Sequence, residues 1–406
     1  MLTYNFKNYN IFLADSNISY TIYCMKNVYD VIIIGCGASG LMAANVLKSR
    51  NKKILILDMG NSPARKLAIS GGGNCNFTNT NANYTKYFGM NPRFITSALS
   101  QFSPSDMLNL IKENNIEFIE KEPGRYFCKN GAKDIVNLLL KNVEKANIKF
   151  NEKVNNISKI QDLFIVNTTN FEFICKSIII ASGGVSYPIL DVSNIGYMVA
   201  KNFGHKIIPI RPALCAIKTK YFGSELSGIS LPVQIKTSDR IINDDLLFTH
   251  FGLGGPAIYR ASLSTGKFII NFVPNIDLFN KLKELKQTNG KKSLSTILSK
   301  FIPSKLANVF TAIRNGNIAD FKDIDLKNIS DKINNFEISD YELIGMQSAE
   351  ITFGGIDTKD ISSKTMESKL CPGLFFAGEV MDINGDLGGF NLQWAFSSGY
   401  VAGLNA

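Results

Sequence analysis

The chain has one tryptophan, only two histidines (His205 and His250), and seven cysteines that never form a C-x-x-C pair. That scarcity argues against a disulfide framework, a zinc site and a dithiol redox centre. It fits a reducing compartment, and the cytoplasm is the default expectation. No run of about 18 uninterrupted apolar residues is present to cross a bilayer, so no membrane partner is expected. Acidic residues are the scarcer charge, 34 against 44 basic ones, which leaves a formal charge of +10. Such a surplus favours anionic partners, among them phosphate-bearing cofactors and nucleic acid. Over 406 residues it is modest, and the chain is rich in Lys, Asn and Ile generally. The length allows two or three domains, or one large domain carrying insertions.

Residues 1–24 stand apart from the rest. Met25 begins a natural start for the strand that follows, and Asp15, Ser16, Asn17 and Ser19 interrupt any apolar core upstream of it. The stretch therefore fails as a signal peptide and is expected to be a disordered extension.

The first chemistry in the chain follows at once. Residues 29–34 read YDVIII, a β-branched run of the kind buried on both faces of a parallel sheet. It enters Gly35-Cys36-Gly37-Ala38-Ser39-Gly40 and then a segment with Leu41, Ala44 and Leu47 at helical spacing. In a strand, G-x-G-x-x-G, helix unit the first glycine allows the tight turn. The second lets backbone approach a pyrophosphate, and the third lets helix and strand pack closely. The helix N-terminus offers unpaired N–H groups and a partial positive charge to phosphate. A second buried strand, Ile54 to Leu57, ends in Asp58, where a carboxylate can accept from adenosine ribose hydroxyls. A dinucleotide is thus expected at Gly35, Gly37, Ala38, Ser39, Gly40 and Asp58.

The C-terminal segment favours FAD over NAD as that dinucleotide. Pro372 to Phe376 reads as a short strand ending in Gly378-Glu379, and Gly388 to Leu392 opens a closing helix. A carboxylate past a strand end can bind ribityl hydroxyls. A helix start can aim N–H groups at the pyrimidine end of an isoalloxazine. Only one nucleotide-binding glycine fingerprint is present, so NADH or NADPH would act as a transient reductant rather than occupy a second Rossmann domain.

Several further segments share one pattern: Ser70-Gly71-Gly72-Gly73-Asn74-Cys75-Asn76-Phe77-Thr78-Asn79, Ala181-Ser182-Gly183-Gly184 and Leu247 to Pro256, together with Thr365 to Lys369. With them, residues 25 to the C-terminus closely resemble the bacterial NAD(P)/FAD-dependent oxidoreductase family of aminoacetone-oxidase-like and BaiN-like flavoproteins. The resemblance implies an α/β fold: a glutathione-reductase-like, FAD-binding Rossmann-type domain interrupted by a β-barrel plus helical insert. The implied division is 25–195 for the first part of the FAD domain, 196–341 for the insert and 342–406 for the C-terminal part. Within the insert, 196–275 would be β-rich and 276–341 helical. It further implies flavin contacts at Lys66, Val154, Gly378, Glu379, Asn391 and Leu392, beside the residues above. The family commonly has Arg where Asn74 stands, Ser where Gly254 stands and Gly-Ser-Thr-Gly-Asp-Gly at 191–196, so the substrate side is the more divergent one.

His250 is the candidate catalytic residue, a proton donor or substrate hydrogen bond near the flavin, weighed equally against a loop-stabilising role. His205 reads as a helix C-terminal cap. Cys75, with no partner cysteine nearby in sequence, reads as packing. No metal site is expected. The reading is an FAD-dependent oxidoreductase acting by hydride transfer on a small organic substrate of the enone or amine class. A flavoprotein that binds or modifies tRNA is the alternative, and oligomeric state is undetermined.

Overall fold

A computed structural model describes residues 3–6, 9–12, 28–144 and 147–406. The expectation of a disordered extension over 1–24 meets two strands there, Thr3–Phe6 and Tyr9–Phe12, paired antiparallel. The rest of that expectation lies outside the described residues.

The first core is built on a seven-stranded sheet whose parallel part reads Leu374–Phe376, Glu172–Ile180, Val28–Ile34, Ile54–Leu57 and Ile148–Lys149 from one side to the other. Val31 to Ile33 are fully buried, as an uninterrupted β-branched run between two covered faces requires. Two long helices cover this sheet, Ala38–Ser49 and the closing Phe390–Asn405. They pack so closely that a Cβ on Gly399 would lie 2.3 Å from the carbonyl oxygen of Ser39. Small residues on the closing helix are therefore a packing requirement. Trp394 is buried beside them and donates its indole N–H to the Gly378 carbonyl at 3.1 Å.

The second core surrounds a seven-stranded antiparallel sheet, with Ser230–Lys236 and Ile241–Thr249 as its long central pair. Leu278, Leu282, Leu285, Leu294 and Ile297 are buried against it, the apolar face expected from helical spacing. The lysines between them point outward into ion pairs, Lys281 with Glu284 and Lys283 with Asp323. The helix Ile195–Asn202 buries Ile195, Tyr197 and Val199 in the first core, so the expected division at 195/196 falls inside one packed helix. Between the cores run two antiparallel connections, Ile207–Ala213 and Ile351–Ile356. A small apolar cluster of Ala213, Leu214, Leu263 and Ile351 sits at the junction.

His205 caps the helix Ile195–Asn202 through its backbone. Its backbone N–H closes the helix on the Ala200 carbonyl after Gly204 at φ +87°, while the imidazole is buried. Nε2 meets Ser368 Oγ at 2.8 Å, and the ring stands edge-on to Phe376.

Candidate functional site

The carboxyl ends of adjacent parallel strands converge on one place. Gly35 N donates to Leu57 O, Ala181 N to Ile34 O and Ala377 N to Ile180 O, so the three loops leave the sheet side by side. In open α/β sheets this is where ligands bind. A Cβ on Gly35 would lie 2.3 Å from the Ala181 oxygen, and one on Gly40 would lie 2.0 Å from the Gly35 oxygen. Gly37 is different: a Cβ there meets nothing within 4 Å, because it faces open space before the helix. It is the helix N-cap and supplies no side-chain cap. The first-turn N–H groups of Ala38, Ser39 and Gly40 therefore face that space, with the positive end of a 12-residue helix behind them.

Asp58 is buried at the next strand end. Its Oδ2 accepts from Cys36 N at 2.7 Å and its Oδ1 from Gly60 N at 2.8 Å. Arg65 adds an ion pair at 2.8 Å and reaches Asp191 at 3.2 Å. A carboxylate has about four lone-pair sites, so Asp58 keeps capacity for a ligand hydroxyl. Val154 begins its strand on the wall of the same cleft, beside Asp58 and Ser182. These placements suit the adenosine end of a dinucleotide: a helix start with no side-chain cap among the described residues, an oriented carboxylate and a close backbone.

A second group is assembled from distant segments. Lys66 Nζ donates to both carboxylate oxygens of Glu379, at 2.9 and 2.8 Å, and to Ser186 Oγ at 2.7 Å. Glu379 also accepts from Thr352 N at 2.8 Å. Gly378 adjoins Ser39, where a Cβ would come within 2.7 Å of the serine hydroxyl. Asn391 uses its amide locally, accepting from Gly385 N and donating to Gly385 O, which locks the loop before the closing helix. Leu392 packs against the first core.

His250 occupies the exposed turn between the strands Ile241–Thr249 and Gly252–Gly254, edge-on to Phe251. Among the described residues no hydrogen bond or ion pair joins it to the groups above. Cys75 is buried in the first core, as a packing residue is, but it has a neighbour the sequence did not show. The antiparallel register of Asn76 with Phe127 sets Cys75 opposite Cys128, and both thiols are buried. Hydrogen bonding to Cys75 and burial push the Cys128 thiol up. Separation along the chain had hidden the pair.

Sequence reasoning missed several groups around the cleft. Arg65 links Asp58 to Asp191, and Thr352 links Glu379 to the 185–186 backbone. Arg125 lies against Gly388, with Nε buried and without a hydrogen-bond partner among the described residues. Arg260 pairs with Asp386 at 3.0 Å and ties the second core to the loop before the closing helix. Glu350 is pushed up by burial, against the pull of Lys66 and Arg125, and burial together with Glu350 raises Tyr259. None of these lies in a local pattern; only the Arg65-Lys66 neighbourhood offered a signal.

Residues 29–405 match the family model described as HI0933-like protein Rossmann domain. The chain is 38% identical to the ribosomal RNA dihydrouridine synthase of Haemophilus influenzae, over 94% of this chain and 99% of that one. It is 24% identical to the 3-dehydro-bile acid delta(4,6)-reductase of Clostridium scindens, over 92% and 98%. Among solved structures, 3-ketosteroid-delta4-(5alpha)-dehydrogenase from Rhodococcus jostii RHA1 aligns with a TM-score of 0.51 at 12% identity, over 95% of this chain and 98% of that one. The chain belongs to the HI0933-like Rossmann-domain family.

Proposed function

We propose that this protein is an FAD-dependent reductase of a carbon–carbon double bond conjugated to a carbonyl, and that its substrate is uridine in ribosomal RNA. The observation that carries the flavin part is the convergence of three parallel strand ends on the open N-terminus of Ala38–Ser49, with Asp58 alongside. In this reading Gly35, Gly37, Ala38, Ser39 and Gly40 hold the pyrophosphate. Asp58 takes the adenosine ribose, and backbone at Val154 meets adenine. Lys66, Gly378 and Glu379 meet the ribityl chain, while Asn391 and Leu392 position backbone at the pyrimidine edge. Bound FAD supplies hydride chemistry; the chain's own groups bind, orient and manage protons.

The substrate part rests on two relatives named ribosomal RNA dihydrouridine synthase, at 38% and 35% identity and nearly full length. The bile-acid reductase relative fits the same chemistry. In uracil the C5=C6 bond is conjugated to the C4 carbonyl, so its reduction is an enone reduction in chemical terms. The charge of +10 suits an RNA partner, and residues 285–319 carry six basic side chains and no acidic one.

Two measurements test the reading. Purified protein should carry, or take up, FAD with its visible absorption. With NADH or NADPH as reductant it should convert uridine in an unmodified ribosomal RNA transcript to dihydrouridine, seen by mass spectrometry as a gain of two hydrogens. Protein that binds no flavin after reconstitution sinks the whole reading; flavin binding without RNA product sinks the substrate.

A further inference from the structure

We propose that Arg260 and Asp386 are positioning residues through which the second core fixes the backbone at the start of the closing helix and so raises the reduction potential of the flavin, an assignment that rests on the FAD reading above. Asp386 is buried in the loop between the strand Asn384–Gly385 and the helix Phe390–Asn405. Its Oδ1 accepts from Leu387 N at 2.7 Å, and its Oδ2 takes the Arg260 guanidinium at 3.0 Å. A second arm of the same guanidinium donates to the Leu387 carbonyl at 3.3 Å. One planar fork thus holds both a carboxylate and a backbone oxygen of adjacent residues, a match that a lysine ammonium cannot make.

The grip on this loop comes from the second core. Arg260 belongs to the helix Gly255–Ala261 and forms a further ion pair with Asp244 at 3.1 Å. Arg240, in the turn before Ile241–Thr249, stands 3.9 Å from the same Asp386 oxygen and donates to the Arg260 carbonyl. Its guanidinium lies 4.3 Å over the Phe88 ring, on the strand that pairs with Asn384–Gly385. Phe88 and Leu387 also pack on the apolar junction of Ala213, Leu214, Leu263 and Ile351. Burial pushes Arg240 down against the pull of Asp386 and Asp239, the mark of charges taken out of water. Buried pairs of this kind often add little stability over apolar groups of equal volume, so geometry is what this one supplies.

That geometry is passed on at once. Gly388 and Gly389 follow at φ +117° and +90°, without side chains to fix their own orientation, and Gly389 begins the closing helix with no side-chain cap. Their direction is therefore inherited from Asp386 and Leu387 on one side and from the Asn79 bond to Gly388 O, at 2.8 Å, on the other. In the FAD reading this helix start meets the pyrimidine edge, where negative charge gathers on two-electron reduction. Donors already aimed at that charge stabilise it more than donors that must turn to it. A loop freed from Arg260 still binds oxidised flavin, and it stabilises the reduced form less.

Wild type, Arg260→Met, Asp386→Asn, Arg260→Lys and the double variant Arg260→Met with Asp386→Asn are loaded with FAD, alongside Arg314→Met, which breaks a surface ion pair with Asp325. Each is brought to equilibrium anaerobically with a reference dye of known potential, and affinity for oxidised FAD and melting temperature are measured separately. Arg260→Met and Asp386→Asn should shift the ratio of reduced to oxidised flavin about 10-fold toward oxidised, about 30 mV for a two-electron couple, with affinity for oxidised FAD within about 3-fold of wild type. The double variant should fall no further than either single one, because the two residues act as a unit. Arg260→Lys should recover part of the shift, and Arg314→Met should match wild type. A through-space charge effect alone would move the two single variants in opposite directions, since one removes a cation and the other an anion; lost geometry moves both down. Opposite shifts, an unchanged potential in both whatever their melting temperatures, or an equal weakening of oxidised and reduced FAD overturns the assignment. Should Arg260→Met not fold, Arg260→Lys is read against Asp386→Asn on the same scale. Wild type that binds no FAD removes the flavin reading itself; wild type that binds FAD while the variants keep its potential removes this assignment alone.

Discussion

The two ends of the cleft are built in opposite ways. At the Asp58 end, one contiguous stretch of 24 residues, 35–58, supplies turn, helix start and carboxylate, and its geometry is set by backbone contacts too close for side chains. At the Glu379 end, Lys66, Ser186, Thr352 and Glu379 come from four segments and meet through side-chain hydrogen bonds. The first end tolerates almost no change of shape and needs little side-chain charge. The second depends on a charge network in which each member holds the others, so its perturbation should alter binding more than folding.

The strongest way to break this contrast is at the glycines. Gly40→Val forces a side chain against the Gly35 carbonyl and should cost at least about 3 kcal/mol, observed as failure to fold or a large loss in denaturant midpoint. Gly37→Val, with open space at its Cβ, should leave stability within about 0.5 kcal/mol while FAD affinity falls about 100-fold. If both variants merely destabilise, the open face at Gly37 is not a ligand face. Next in size, Trp394→Ala removes a buried ring from the closing helix and its bond to Gly378 O, at a cost of about 3–5 kcal/mol by urea titration.

Lys66→Met addresses the charged end. It leaves Glu379 with Thr352 N as a donor, so the fold should lose only about 1 kcal/mol while FAD binds about 10-fold more weakly, by fluorescence titration. Equal losses in both would mean that the network is structural alone. The smallest effect concerns His205, whose pKa is lowered by burial. The unfolded chain then binds a proton that the folded one resists, so stability falls as pH drops below about 6.5 toward the lowered folded value. Above that window the contribution is flat. Melting temperatures of wild type and His205→Gln should diverge at neutral pH and converge on acidification.

Legibility followed the same division. The strand, glycine turn, helix and Asp58 could be read because every partner lies within one βαβ unit and the spacing itself encodes the contacts. The apolar face of Leu278, Leu282 and Leu285 was legible for a similar reason, since helical period places them on one side. The neighbour of Cys75 was hidden because strand register, not chain proximity, brings Cys128 beside it. Asn391, a flavin contact by the resemblance, spends its amide on Gly385, a local choice no spacing reveals.

What the amino-acid order determined alone was the local part: a buried β-branched strand, glycines where a Cβ has no room, a carboxylate at the next strand end, and amphipathic helices farther on. Those follow from sterics and periodicity within a few dozen residues. Only the tertiary structure decided which distant charges share the cleft, because the contact of Lys66 with Glu379 depends on sheet order and the antiparallel connection between the two cores. Long-range pairing is a property of the packed whole, and no window of the chain contains it.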